Sequence, residues 1–126
     1  MLTSEFFKKW YASFASDVDP IIMREKVQGL GCCPWHIFTW GGIRCLERDD
    51  ALKAYMHSTA DEKVYVYIGY DFEDDWVETR KNDISELTRL MKVGTEIYIA
   101  SLDFTWTFVW THEGDCFGPY FLKNQI

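Results

Sequence analysis

The chain has 126 residues, a size typical of one domain, and 48% of them are hydrophobic, so a core can form without disulfide bonds. Its 20 acidic and 13 basic residues give a net charge of −7, which disfavours direct binding to nucleic-acid phosphates or to anionic membranes. No apolar run approaches the roughly 20 residues that span a bilayer, and charged residues interrupt the N-terminal segment where a signal peptide would be apolar, so we expect a cytoplasmic protein.

Two helices are predicted at the start of the chain, over about residues 4–28. In the first, aromatic residues recur at every fourth position, at Phe6, Trp10 and Phe14. This spacing is helical, and Ser4 is the predicted N-cap. Asp19 followed by Pro20 is typical of an N-cap and first helical position, so the second helix is predicted to run to about Val27.

Four strands and two helices are predicted over the rest of the domain, about residues 33–122. The predicted strands are 35–40, 63–69, 95–101 and 104–111, and the predicted helices are 49–56 and 82–92, the latter capped by Asn82. Strand 63–69 is apolar on both parities and is expected at the sheet centre, and the last two strands are predicted to form a C-terminal β-hairpin. Strand-helix-strand connections favour parallel pairing. The sequence therefore predicts a single α+β (α/β) domain, residues 1–126, with a four-stranded mixed sheet, helices packed on it and the order ααβαβαββ.

The last predicted strand has an alternating sequence, FTWTFVWT, over residues 104–111. Successive side chains of a strand point to opposite faces, so its rings share one face and its threonines line the other. Aromatic side chains each bury about 150–250 Å², so the ring face is predicted to form the core. His112 follows at the parity of the rings and Glu113 at the parity of the threonines.

The four cysteines do not have the spacing of a disulfide framework, so reduced thiols are expected. Cys33-x-x-His36 and His112-x-x-x-Cys116 together offer four ligands for a tetrahedral zinc ion. Pro34 and the strand predicted at His36 disfavour a zinc knuckle, so no metal and no cofactor are predicted. An alternative pairs Cys32, Cys33 or Cys116 with one of these histidines as a nucleophile and base, oriented by Glu113 or Asp115, although no catalytic motif supports it.

An acidic segment, DFEDDWVE, follows the predicted central strand over residues 71–78. It contains five carboxylates and two aromatic rings, at Asp71, Phe72, Glu73, Asp74, Asp75, Trp76 and Glu78. Charge runs are most often solvated loops. Here the mixture favours partner binding, because carboxylates quicken the encounter with a basic protein and an exposed aromatic ring anchors it.

Three motifs, WHIF, FTWTFVWTHE and GPYF, resemble those of a family of small bacterial proteins known only as a domain of unknown function. The resemblance runs from about Trp35 to Phe121 and implies a cytosolic α/β domain without an established activity. It marks a shared cluster, predicted to be structural: Trp35, His36, His112, Glu113, Gly118, Pro119 and Tyr120. By type and not by motif, the chain is also similar to bacterial immunity proteins, including those of contact-dependent growth inhibition, many of which bind basic nuclease toxins.

The leading hypothesis is therefore an immunity protein that neutralises a cognate toxin, a nuclease, by covering its basic active site with the acidic segment 71–78. The expected partner is the toxin domain rather than nucleic acid or membrane, and the chain is expected to be a monomer or weak dimer. The alternative is a small hydrolase or metal-dependent enzyme centred on His36, His112 and Glu113. That alternative requires these side chains to converge in one place.

Overall fold

A computed structural model describes residues 1–28, 33–58, 62–69 and 76–124. The helices are α1 (Thr3–Phe14), α2 (Pro20–Ile22, continued by a π-helical segment, Met23–Gln28), α3 (His36–Thr39), α4 (Arg48–Met56) and α5 (Ile84–Arg89). The strands are β1 (Leu46–Glu47), β2 (Lys63–Gly69), β3 (Glu78–Lys81), β4 (Glu96–Ser101), β5 (Trp106–Trp110) and β6 (Tyr120–Lys123), with a 3₁₀ turn, Gly114–Cys116, before β6. Within the described ranges, none of these helices has both the length and the apolar character needed to cross a membrane.

The strands form one six-stranded sheet in the order β1-β6-β5-β4-β2-β3, and all of its neighbouring strands are antiparallel. The α+β class is confirmed, whereas the four-stranded mixed sheet and the order ααβαβαββ are wrong. The strands that were not predicted, β1, β3 and β6, have two to four residues each. Such short segments carry too little alternation to be recognised by their pattern.

The predicted parallel pairs are absent from the sheet, because residues 36–39 form a helix and because β2 and β4 are adjacent but antiparallel. The segment β3-α5-β4 joins two parallel strands, but β2 lies between them. Likewise β1-α4-β2 joins parallel strands that are separated by three others. Both crossovers predicted from the sequence are therefore wrong in the strands that they join, because β3 reverses the chain between β2 and α5, and β1 takes the place of the strand predicted at 35–40.

Helices cover both faces of the sheet. On one face the stripe of α1, made of Phe6, Trp10 and Phe14, packs with Tyr98 and Val109 of the central strands. On the other face the buried residues of α4 and α5 pack with Ile97, Ile99 and Phe108. Because both faces are covered, β2 and β4 have buried residues at both parities. The burial of β2 on both faces and its bounds are as predicted.

Strand β5 is also buried on both faces, so its threonines do not lie outside the core. Trp106 and Phe108 belong to the cluster under α4, whereas Thr107 and Val109 are buried on the α1 face. The Thr107 hydroxyl accepts a hydrogen bond from Trp10 Nε1 at 3.0 Å and donates one to the Ile99 carbonyl at 2.8 Å. These bonds satisfy a buried polar group that a purely apolar face would exclude.

The strand predicted for WHIFTW is wrong, because residues 36–39 form the short helix α3. The carbonyl of His36 accepts the amides of Trp40 and Gly41, which closes the turn. Ile37 and Phe38 are both buried although they are adjacent, so the apparent alternation does not describe two faces. A Cβ at Gly41 would lie 2.6 Å from the Ile37 carbonyl oxygen, so this close approach requires glycine.

Of the three predicted caps, Asp19 is confirmed, because its carboxylate accepts the amides of Ile21 and Ile22. The N-cap of α1 is Leu2 and not Ser4, which lies inside the helix. The N-cap of α5 is Asp83, whose side chain accepts the amide of Glu86. Asn82 is instead buried, where its Oδ1 accepts the Tyr55 hydroxyl at 2.9 Å.

Candidate functional site

The candidate site is built around Glu96, the first residue of β4. Its parity is that of Tyr98, so its side chain lies on the α1 face of the sheet, and that side chain is only 2% exposed. Oε1 accepts a hydrogen bond from Trp35 Nε1 at 2.8 Å and lies 2.6 Å from His112 Nδ1. Burying a carboxylate is costly unless it is paired and hydrogen-bonded, and these contacts supply both.

His112 links this buried carboxylate to the surface. It follows β5, and its carbonyl accepts the Gly94 amide at 2.8 Å, which fixes the loop beside the start of β4. Its Nε2 lies 3.3 Å from Oε1 of Glu113, which is exposed. The His112 side chain is 37% exposed, so the imidazole has a buried carboxylate on one side and a solvated carboxylate on the other.

Trp35 forms the wall of the site. Its backbone N–H donates to the Tyr98 hydroxyl at 3.2 Å, and that hydroxyl donates in turn to Glu96 Oε2 at a long 3.5 Å. Its ring centroid lies 6.0 Å from that of His112 and 5.5 Å from that of Phe117. Burial, with the nearby Glu96 carboxylate, raises the pKa of the Tyr98 phenol, so this group remains a neutral donor at ordinary pH.

Cys33 completes the cluster. Its Sγ, a carboxylate oxygen of Glu96 and a ring nitrogen of His112 all lie within 4.8 Å of one another. We call Cys33, Glu96 and His112 the thiol-carboxylate-imidazole trio. Of the four candidate ligands considered from the sequence, Cys33 and His112 belong to the trio, and its third member is Glu96.

The other two candidate ligands do not belong to the trio. His36 Nδ1 is 2.9 Å from Thr39 Oγ1 within α3, and burial, followed by the proximity of His112, lowers the pKa of His36. Cys116 is exposed in the 3₁₀ turn and does not belong to the trio, and Cys32 lies outside the described residues. His36 is therefore a neutral neighbour of the site at ordinary pH.

The GPYF segment contacts the same wall from the other side. Tyr120 begins β6, and its ring stacks on Phe38 with centroids 4.7 Å apart and on Trp35 with centroids 6.5 Å apart. The Pro119 carbonyl accepts the Arg48 amide at 2.9 Å, and Gly118 has a φ of +93°, which favours glycine. The segment thus contacts the WHIF residues, although these form a helix and not a strand.

Only the end of the acidic segment is described. Asp71, Phe72, Glu73, Asp74 and Asp75 lie outside the described residues. Trp76 is 62% exposed and forms an isolated β-bridge with Leu2, which is 43% exposed. Val77 is buried and its amide donates to the Met1 carbonyl at 2.8 Å, whereas Glu78 begins the edge strand β3 and pairs with Arg80 at 3.4 Å.

Glu96 lies in no motif of the sequence. A weak indication was present, because Glu96 is the one charged residue in EIYIAS, a predicted strand segment whose other residues are mostly apolar. A carboxylate in such a strand needs a partner, and the loop that follows the next strand contains His112. Antiparallel hairpin geometry brings the start of one strand close to the end of the next.

The chain was compared with protein families, with curated proteins and with solved structures. The profile of the family described as Domain of unknown function (DUF4275) matches residues 2–121, and it includes the N-terminal helices that lay outside the motif resemblance. Neither the curated proteins nor the solved structures contain a significant match. Since the match covers almost the whole chain, the protein belongs to the family of domains of unknown function DUF4275.

Proposed function

We propose that the protein is an immunity protein, which binds a cognate bacterial nuclease toxin and blocks its basic active site with the acidic segment 71–78. The observation that carries this proposal is the exposure of Trp76 at the end of that segment. A tryptophan needed only for the core would be buried. Steric and electrostatic occlusion requires no cofactor.

Trp76 has the features of an interface anchor. Its backbone is fixed by the bridge to Leu2, and the amide of its neighbour Val77 is fixed by the Met1 carbonyl. The ring is therefore presented from an ordered position, so little conformational entropy is lost when it binds. Exposed tryptophans in ordered positions are common hot spots, and the exposed side chain of Leu2 enlarges the apolar contact.

Charge supports a basic partner. The segment 71–78 contains five carboxylates in a chain of net charge −7. Carboxylates beside an apolar anchor attract a cationic surface and raise the association rate, an effect that salt screens over about 8–10 Å. Nuclease active sites are basic because they bind phosphates, so they present the complementary surface.

Trp76→Ala is expected to weaken binding of the toxin at least about 30-fold, because hot-spot tryptophans contribute about 2 kcal/mol or more. Trp40→Ala is the matched control, since Trp40 is 53% exposed but lies after α3 beside Lys26. The chain would be used at low salt to capture partners from cells that naturally produce it. Each captured protein would be purified and tested for nuclease activity with and without the chain.

A second variant tests the charge, with the five carboxylates of residues 71–78 replaced by lysine. Its association rate is expected to fall and to lose its salt dependence, whereas its dissociation rate changes less. Equal inhibition of the nuclease by wild type, Trp76→Ala and the charge-reversed chain would exclude this surface. Failure to find any captured protein whose activity the chain inhibits would exclude the immunity function.

A second candidate, a small hydrolase, is favoured by the thiol-carboxylate-imidazole trio. The proposed centre differs from the sequence-based one, because His112 has Glu96 as its close partner and His36 is bonded to Thr39. A hydrolase requires turnover that His112→Gln abolishes. Ester, phosphoester and amide substrates, tested with wild type and His112→Gln, separate this candidate from the binding function.

A further inference from the structure

We propose that Cys33, Glu96 and His112 form a binding site for a divalent transition metal, zinc by ligand preference. The inference is independent of toxin binding. It also does not require hydrolase activity, although a hydrolase at this site would use the same metal. The argument uses the distances within the trio, the groups around it and the chemistry of its three donors.

The distances between the donor atoms are compatible with a metal site in which a hydrogen bond takes the place of the ion. The three donor atoms all lie within 4.8 Å of one another, which is close enough for one ion to bind all three. Zinc bonds of about 2.0–2.3 Å and tetrahedral angles require donors about 3.3–3.6 Å apart. The 2.6 Å contact between His112 Nδ1 and Glu96 Oε1 is a hydrogen bond. A metal would replace its proton, and the distance between the two atoms would increase by about 1 Å or less.

The groups outside the trio are those that metal ligands commonly use. A metal-bound histidine usually directs its other ring nitrogen at a carboxylate, and His112 Nε2 lies 3.3 Å from Glu113 Oε1. Ligating carboxylates are themselves hydrogen-bonded, and Glu96 Oε1 accepts Trp35 Nε1 at 2.8 Å. These partners fix the orientation of both ligands before a metal arrives, which lowers the entropic cost of binding.

The donor set selects the metal. A thiolate and an imidazole favour zinc over magnesium or calcium, which prefer oxygen ligands. Three protein ligands are typical of a zinc ion that keeps a fourth position for water or substrate. His112 is partly exposed and Cys33 is half-buried, so an ion from solvent can reach the trio.

The arrangement favours a metal over a Cys-His nucleophile. A general base must offer one ring nitrogen to the thiol. Both nitrogens of His112 face carboxylates, those of Glu96 and Glu113. His112 thus directs both of its ring nitrogens at carboxylates, whereas a metal can bind the thiolate and the imidazole together.

The test is a metal titration of the full chain, purified without a polyhistidine tag and stripped with a chelator. Zinc would be titrated against a chromophoric competitor, and cobalt would be added as a spectroscopic probe because cobalt bound to a thiolate has a charge-transfer absorption. We expect one metal per chain and a thiolate-cobalt absorption. Cys33→Ser is expected to lose that absorption and at least about tenfold in affinity, and Glu113→Gln to keep the absorption while weakening binding about 10–100-fold.

Cys116→Ser and Cys45→Ser are the matched thiol controls, and both are expected to bind like wild type. Circular dichroism of each apo variant checks that it is folded. Binding of less than one metal per chain by the folded wild type would overturn the proposal. Loss of the thiolate-cobalt absorption in Cys116→Ser but not in Cys33→Ser would also overturn it. Stoichiometric binding at these ligands supports the site even if no substrate is hydrolysed, in which case only the hydrolase candidate fails.

Discussion

Replacing Trp10 by alanine is expected to lower the free energy of unfolding by about 4 kcal/mol, as truncation of a buried aromatic residue usually does. Trp10 is fully buried on α1, and its ring packs edge-on against Tyr98 with centroids 5.6 Å apart. Alanine would leave a cavity between α1 and the sheet. It would also remove the hydrogen bond that Trp10 Nε1 donates to Thr107 Oγ1 at 3.0 Å. Urea unfolding followed by circular dichroism measures the change.

Two controls separate the cavity from the hydrogen bond. Trp10→Phe keeps most of the ring but removes its N–H, so a loss of about 1–2 kcal/mol is expected. Trp40→Ala removes an exposed ring and is expected to cost less than about 1 kcal/mol, including its contact with Lys26. A loss for Trp10→Ala no larger than that for Trp40→Ala would contradict the packing of α1 on the sheet.

Elements with a long regular pattern could be predicted from the sequence. The stripe of α1 spans three turns, and all three of its predicted residues, Phe6, Trp10 and Phe14, are buried. The bounds of β2 agree with the prediction because the six residues that follow Lys63 are apolar or aromatic. In both cases the local preference and the tertiary environment favour the same structure.

Short elements could not be predicted, because tertiary contacts decide them. WHIFTW alternates like a strand, yet Ile37 and Phe38 are buried together in a single turn that Gly41 closes. The edge strand β3 has the sequence ETRK, whose polar residues lack a strand pattern. Because β3 was not predicted, the predicted topology was also wrong: β3 reverses the chain between β2 and α5.

The candidate site shows the same limit. Cys33 and His112 are residue types that bind metals or react, and Trp35 belongs to the family motif, whereas no sequence motif includes Glu96. Its partners are 61 residues away at Trp35 and 16 away at His112, so no local spacing relates them. The fold of the sheet brings these three segments together, and only that fold shows that a buried carboxylate is the centre of the group.

Replacing His112 by alanine is expected to lower the free energy of unfolding by about 3 kcal/mol when a chelator keeps the chain free of metal. The Glu96 carboxylate would remain buried and would keep Trp35 Nε1 as its only partner closer than 3 Å among the described residues. Removing one member of a buried pair usually costs about 3–5 kcal/mol, and the partial exposure of His112 favours the lower end. Urea unfolding of wild type and His112→Ala in the presence of chelator measures this loss of free energy.

The double variant Glu96→Gln/His112→Ala is the decisive comparison, because it removes the charge together with its partner. It is expected to recover more than half of the loss, whereas the single variant Glu113→Gln, which changes an exposed carboxylate, should cost less than about 0.5 kcal/mol. No recovery in the double variant would mean that the buried pair does not account for the loss of stability.

Adding zinc at 100 times its dissociation constant should stabilise wild type by about 2.7 kcal/mol and leave the stability of His112→Ala unchanged, since only a chain with all three ligands binds the ion tightly.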